Sequence, residues 1–300
     1  MPTWTPEHEV TETELRAAIA RHFPQLDVSE LVHVGRGFDV DVWLTGTLAF
    51  RVPRRAMGVA ALRLELAALP HLATKLPLRV PVPLHVAEPD GALAVPFYAH
   101  RFLEGLTADR AALDDDARTA LAPALGRFLR ALHALTPDDA RAMSLQVDDF
   151  RGALAARTAK VLPHLDALAP SLPAHDVAAA HALLASPPAP FGGERRPIHG
   201  DVYARHLLLD DARALVAVLD WGDVSLGDPA VDLDVVYTFL PPHARPGFFE
   251  AYGPVDDATR DRARFLGLCR HALTLLAYAT DVGDAPLAAE ARVALANVVR

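Results

Sequence analysis

Two polar clusters, separated by a stretch that must fold back on itself, constrain this chain more than any other feature. The first runs Ile198-His199-Gly200-Asp201-Val202-Tyr203-Ala204-Arg205-His206. The second is Asp220-Trp221-Gly222-Asp223, continuing to Gly227-Asp228-Pro229 and Asp232. Pro197 makes a rigid approach that delivers His199 and Asp201 into a loop. Between the clusters, His206 to Asp210 is a short apolar run, Asp210-Asp211-Ala212-Arg213 has turn chemistry, and Ala214 to Leu219 is a second apolar run. A hairpin of that length returns the chain to its starting point. Asp220 is therefore expected beside Asp201 and His206, although nineteen and fourteen residues separate them in sequence.

Carboxylates often do no more than cap turns. That role suits Asp210, Asp211 and Asp228, the last standing before a proline at the expected first position of a helix. It does not suit Asp201 and Asp220. Each closes or opens an apolar run, where a charge is costly to desolvate without a charged partner such as a divalent cation.

His199-Gly200-Asp201, a metal-type residue five positions on, a hairpin and then Asp220-Trp221-Gly222-Asp223 together resemble the catalytic segment of the aminoglycoside phosphotransferase family. This is the antibiotic-kinase branch of the protein-kinase-like fold. The resemblance implies that Asp201 accepts the proton of a substrate hydroxyl and that Asp220 binds Mg2+. His206 stands at the second metal position, usually Asn, and this variant is similar to the aminoglycoside 2''-phosphotransferases and the macrolide phosphotransferases. Imidazole is a softer ligand than an amide oxygen and magnesium prefers oxygen, so a weak or water-mediated contact from His206 is expected. His199 is expected to brace the loop, and Asp223 and Asp232 to hydrogen-bond loop backbone. Arg205 is read either as a phosphate ligand or as the partner of a surface carboxylate.

The resemblance also implies an α+β fold of two lobes. Residues 1–103 would form a small β-rich nucleotide lobe, with a hinge at about 101–105, and residues 104–300 a larger helical lobe. In the first part, Thr11-Glu12-Thr13-Glu14 is a capping box opening a helix that Pro24 ends. Leu31 to Val34, the bend Gly35-Arg36-Gly37-Phe38-Asp39, Val40 to Leu44, the turn Thr45-Gly46 and Leu48 to Val52 read as a hairpin. The bend lacks a third glycine, so it is not a dinucleotide fingerprint. By resemblance, Gly35, Gly37 and Phe38 cover the nucleotide, Arg51 replaces the usual phosphate-binding Lys, and Glu65 is its partner. Arg101 to Leu103 is assigned to the purine-holding hinge by position alone, with ATP or GTP as donor.

Beyond Asp109 the pattern is helical. Leu121, Leu125, Leu129, Leu132 and Leu135 form a core stripe at helical spacing. Further helices are expected over 153–165, 177–184, 229–240, 244–252, 257–279 and 285–299. Asp232, Tyr237, Glu250 and Asp281 are the candidate acceptor contacts. Tyr237, Phe239, Phe248, Phe249 and Tyr252 make that region aromatic, either as a wall for a partly apolar acceptor or as core.

Composition narrows the partners. The net charge of −9 falls almost wholly on residues 104–300, which carry 27 Asp+Glu against 19 Lys+Arg. That balance argues against nucleic acid and is compatible with a cationic small molecule. Charged residues or prolines interrupt every apolar run, so no membrane span is expected. Met1 to Val10 does not read as a secretory signal and Cys269 stands alone. A cytoplasmic protein, monomer or homodimer, is the expectation. The expected activity is transfer of a γ-phosphoryl group to a hydroxyl of an aminoglycoside-like or other cationic small molecule. The alternatives are a macrolide or metabolite kinase, a non-catalytic nucleotide-binding module, and a metal-dependent hydrolase.

Overall fold

The computed structural model describes residues 7–37, 39–148 and 150–300. Phe38, expected in the glycine bend, lies outside them. The chain opens with α1 (Glu12–His22), started by the expected capping box: the Thr11 hydroxyl accepts from the Glu14 amide, and the Glu14 carboxylate accepts from the Thr11 amide. Five strands follow, β1 (Val32–Arg36), β2 (Val40–Thr45), β3 (Leu48–Pro53), β4 (Pro83–Ala87) and β5 (Phe97–Arg101), with α2 (Ala56–Leu72) between β3 and β4. They form one antiparallel sheet in the order β1-β2-β3-β5-β4.

Alternation along the central strands decides what each face carries. Phe50 and Val52 of β3 and Phe97 and Ala99 of β5 join Leu15 and Ile19 of α1 in a small core. Arg51 and Tyr98 are direct cross-strand partners and belong to the opposite alternation. Tyr98 packs into the larger core, together with Leu62 and Leu69 of α2.

The remainder is mostly helical. After the two-residue β6 (Leu106–Thr107) come α3 (Asp115–His133), α4 (Pro137–Ala142), α5 (Leu154–Leu168) and α6 (Ala174–Ala185). Four short strands then carry the constraining segment: β7 (Arg196–Ile198), β8 (Leu207–Leu209), β9 (Leu215–Val218) and β10 (Ser225–Gly227). β8 and β9 are the hairpin expected from the two apolar runs, with β6 paired to β8, while β7 pairs with β10. The chain closes with α7 (Ala230–Thr238), α8 (Arg245–Tyr252), α9 (Asp257–Gly267), α10 (Leu275–Val282) and α11 (Ala285–Val299). The single long helix expected over 257–279 is interrupted by a π-helical turn at Leu268–Thr274, and α4 has no counterpart among the sequence expectations. No helix among the described residues is long and apolar enough to cross a membrane.

The leucine stripe of α3 is core, as its spacing implies: Leu125, Leu129 and Leu132 are fully buried. From the same helix Phe128, also fully buried, meets Trp221 edge-on with ring centroids 6.1 Å apart. α3 thereby supports the second polar cluster from behind. Phe128→Ala should cost about 3–5 kcal/mol, as truncations of large buried aromatics do, measured as a fall in urea midpoint at unchanged slope.

Candidate active site

The loop after β7 is held from below by a carboxylate. Asp232 of α7 is wholly buried, and its two oxygens accept from the backbone amides of His199 and Gly200, each at 2.8 Å. His133 of α3 adds a third bond at 3.0 Å and is itself fixed by the Tyr252 hydroxyl at 2.8 Å. Burial works against the charge of Asp232, but the His133 bond and its field hold the carboxyl below its ordinary value. Gly200 adopts φ +87°, and a Cβ there would stand 2.6 Å from the Asp223 carbonyl oxygen. This loop therefore needs glycine at that position.

His199 ties the two arms together. Its Nδ1 accepts from the Asp201 amide at 3.2 Å and its Nε2 donates to the Leu219 carbonyl at 3.0 Å, so the ring is neutral. Burial lowers its pKa, in keeping with that state. The ring packs on Trp221 at 4.5 Å.

Asp201 and Asp220 meet across His206. The imidazole Nδ1 donates to the Asp201 carbonyl at 2.7 Å and lies 3.8 Å from Asp201 Oδ2; Nε2 is 3.4 Å from Asp220 Oδ2. Burial alone would depress the His206 pKa, but the bond to Asp220 and the two carboxylate charges raise it to about 8. Asp220 has φ +60°, an uncommon left-handed conformation for a residue with a side chain. Despite its desolvation, His206 and Arg51 keep its carboxyl well below the usual range.

The third part comes from the sheet. Arg51 Nη2 reaches Glu65 Oε1 at 2.9 Å and Asp220 Oδ1 at 3.1 Å, while its Nε reaches Glu65 Oε2 at 3.2 Å. Glu65, on α2, is 1% exposed. It also accepts from the Tyr98 hydroxyl at 3.0 Å and the Trp221 amide at 3.2 Å. A strand cation, a helix glutamate and a post-hairpin aspartate thus share one hydrogen-bonded chain.

Among the described residues no three His, Cys, Asp or Glu side chains are arranged to hold a metal by themselves. Magnesium in phosphate chemistry is ordinarily bound by one or two carboxylates plus the phosphates of the substrate. The half-exposed Asp220 fits that description, supplying hard oxygen donors, with His206 Nε2 beside it.

A family model described as the phosphotransferase enzyme family (APH) matches residues 30–266. The chain belongs to that family. It is accordingly a phosphotransferase with a hydroxyl group as acceptor.

Solved structures similar to this phosphotransferase include the GDP and kanamycin complex of APH(2")-IIia, at 21% identity over 95% of this chain and 97% of that one, with a TM-score of 0.71. Macrolide 2'-phosphotransferase MphH from Brachybacterium faecium is 26% identical over 94% and 96% of the two chains, with a TM-score of 0.63. The ADP-bound aminoglycoside phosphotransferase APH(2'')-Ib shares 16% identity over 96% and 99%, with a TM-score of 0.62. No match is found among curated protein sequences. The fold is the kinase-like one of these structures, a five-stranded antiparallel sheet followed by a mostly helical part.

Several candidates in the phosphotransferase lie elsewhere than their expected roles require. Asp232 is sealed beneath the loop and has no surface left for an acceptor. Tyr237 is buried under the Arg245 guanidinium, 4.9 Å from its ring centroid. Glu250 and Asp281 are exposed, and among the described residues no hydrogen bond or ion pair joins either to Asp201. The aromatics of α8 are packing: Phe248 is fully buried and stacks on Tyr252 at 5.7 Å. Arg205 binds Asp109 at 2.9 Å and Asp284 at 2.7 Å, which decides its reading in favour of carboxylate pairing. Asp223 pairs with Arg151. Asp228 accepts from the Ala230 amide, but its stronger tie is to Arg262 at 2.7 Å, a buried ion pair that a simple helix cap does not anticipate.

Near the sheet, Gly37 closes the bend by donating to the Val40 carbonyl at 2.8 Å, and Gly35 sits on β1 beside open space. At the end of β5, Arg101 is exposed and its carbonyl accepts from His100 Nδ1 at 2.8 Å, while Leu103 is half-buried.

Sequence reasoning missed Arg270 and His271, which flank Asp201, and Asp234, which holds both of them. Arg270 Nη2 is 3.4 Å and His271 Nε2 is 3.2 Å from Asp201 Oδ1; Arg270 also bonds the Gly200 carbonyl, the Val231 carbonyl and Asp234. Two adjacent basic residues inside the apolar run from Gly267 to Leu276 were the available signal, because such charges require buried partners.

Burial lowers the pKa of His100 to about 4, against an ordinary 6.5. As pH falls below 6.5 the unfolded chain takes up this proton first, so the native state should lose about 3 kcal/mol between pH 6.5 and 4. Urea unfolding of the His100→Gln variant over this range should lack that share of the acid sensitivity.

Proposed function

We propose that this phosphotransferase is a small-molecule kinase that moves the γ-phosphoryl group of ATP or GTP to a hydroxyl of an aminoglycoside-like or other cationic acceptor. The observation that carries the proposal is the convergence of Asp201 and Asp220 on the two nitrogens of His206, with Arg51 and Glu65 adjoining Asp220. The similar structures hold GDP, ADP and kanamycin, which supports a purine nucleotide donor and an amino-sugar acceptor.

In this reading Asp201, with a side chain 34% exposed, is reachable from solvent and orients the acceptor hydroxyl. The hydroxyl oxygen forms its bond to the γ-phosphorus as the bond to the β-phosphate oxygen breaks. The hydroxyl proton passes to Asp201, and the nucleoside diphosphate leaves. A strongly basic carboxylate is not needed, because the transition state is loose and attack by the hydroxyl is only partly developed. That accords with an Asp201 whose carboxyl is pushed down, against its burial, by His271, His206 and Arg270. Arg51 grips phosphate oxygens and is held for that task by Glu65. When bound by Asp220, with His206 alongside, magnesium would neutralise charge on the outer phosphates.

A macrolide acceptor is the second reading, favoured by the 26% identity to macrolide 2'-phosphotransferase MphH. The aromatic residues of α8 lend it no support, since Phe248 is core and Phe249 and Tyr252 pack against that core. Transfer of radiolabel from γ-labelled ATP and GTP to kanamycin and erythromycin distinguishes the two readings. In whichever assay is productive, Asp201→Asn should lower kcat by roughly 100-fold or more, with nucleotide KM little changed. Full turnover in that variant would remove the role given to Asp201.

A further inference from the structure

Asp201 lies at the edge of a closed network of four charged groups that the family assignment does not supply. Its Oδ1 faces two donors, His271 Nε2 at 3.2 Å and Arg270 Nη2 at 3.4 Å. Its Oδ2 has no hydrogen bond among the described residues; the nearest cationic nitrogen, His206 Nδ1, is 3.8 Å away and already engaged with the Asp201 carbonyl. One oxygen is anchored and the other is left for work.

The anchor is itself fixed. Asp234, wholly buried on α7, places Oδ1 3.0 Å from His271 Nδ1 and Oδ2 2.8 Å from Arg270 Nη1. Both ring nitrogens of His271 therefore face carboxylates, which only accept, so the ring donates from both and is an imidazolium. Two anions and two cations close the set at zero net charge, which allows it to be buried. Tyr203 stacks on His271 with centroids 5.1 Å apart and planes 22° from parallel, removing the remaining freedom of the ring. Arg270 and His271 are consecutive, yet both reach the same carboxylate. They do so from the π-helical turn Leu268–Thr274, a rare geometry that recurs as single turns at functional sites.

We propose that His271 is a positioning residue. Held by Asp234 and Tyr203, it pins Oδ1 of Asp201 so that Oδ2 meets the acceptor hydroxyl along one fixed direction. This rests on the reading of Asp201 given above. Arg270 supports the same oxygen less directly, because its other nitrogen bonds serve the loop and α7.

The test compares wild type, His271→Ala, His271→Gln and Asp201→Asn. Turnover of ATP and GTP is measured with kanamycin, with erythromycin and with water alone as acceptor, and ADP and GDP affinity by calorimetry. The expected result for His271→Ala is a kcat lower by roughly 10- to 100-fold, as for small misplacements of a catalytic group, with nucleotide KM and diphosphate affinity within about twofold. Gln carries an amide donor near the place of Nε2, so His271→Gln should recover most of the loss. A crystal structure of His271→Ala should show the Asp201 carboxylate in more than one rotamer.

Unchanged kcat in His271→Ala, a loss shared equally by nucleotide binding, a loss that Gln does not relieve, or an Asp201 carboxylate that stays in one rotamer would each overturn the proposal. If Asp201→Asn keeps full turnover, or wild type turns over neither triphosphate, the reading of Asp201 fails instead. The rotamers of Asp201 in His271→Ala then still decide the positioning claim.

Discussion

The structure depends most on the buried glutamate of α2. Glu65 is almost wholly removed from water, and a carboxylate in that state is tolerable only with its partners in place. They come from three directions: Arg51 on β3, the Tyr98 hydroxyl on β5, and the Trp221 amide after β9. Such a group is a poor source of net stability, because its desolvation offsets most of what its bonds return. Its effect is on arrangement. Sheet, helix and hairpin are satisfied together or not at all, and the position of Asp220 relative to Arg51 follows from that.

Two more buried carboxylates continue the pattern with different tasks. Asp232 spends its oxygens on backbone amides and so shapes the loop that carries Asp201. Asp234, two residues on along the same helix, spends its oxygens on Arg270 and His271. The helix from Ala230 to Thr238 is buried along its whole length, and this explains why neither acid meets solvent. What resembles a negatively charged surface in the sequence is, at these positions, the interior support of the site.

The strongly local parts of the fold are legible in the sequence. The capping box at Thr11 and Glu14, the leucine stripe of α3 and the turn residues Asp210 to Arg213 each act over a few positions, and each marks the element that forms. The approach of Asp220 to His206 follows from the hairpin, because a two-stranded return fixes its own ends. The surroundings of Asp201 were not legible, since seventy positions separate it from His271 and no local rule spans that interval. Glu250 and Asp281 have only their charge to recommend them as acceptor contacts, and charge does not say which way a helix face turns. Asp232 braces the loop backbone as its position implies, but neither it nor Tyr237 is open to an acceptor, because His133 of α3, the loop after β7 and Arg245 of α8 close over them.

The backbone at Asp220 carries a consequence of its own. A positive φ near +60° is disfavoured for branched and bulky side chains, and least so for glycine, asparagine and aspartate. The turn that carries this half-exposed side chain therefore screens the residues admitted there before any reaction is considered. Of the three that fit comfortably, only aspartate brings a formal negative charge. Shape and charge select the same residue, and a replacement that respects one while ignoring the other, such as glutamate, would meet the strain even though it kept the carboxylate.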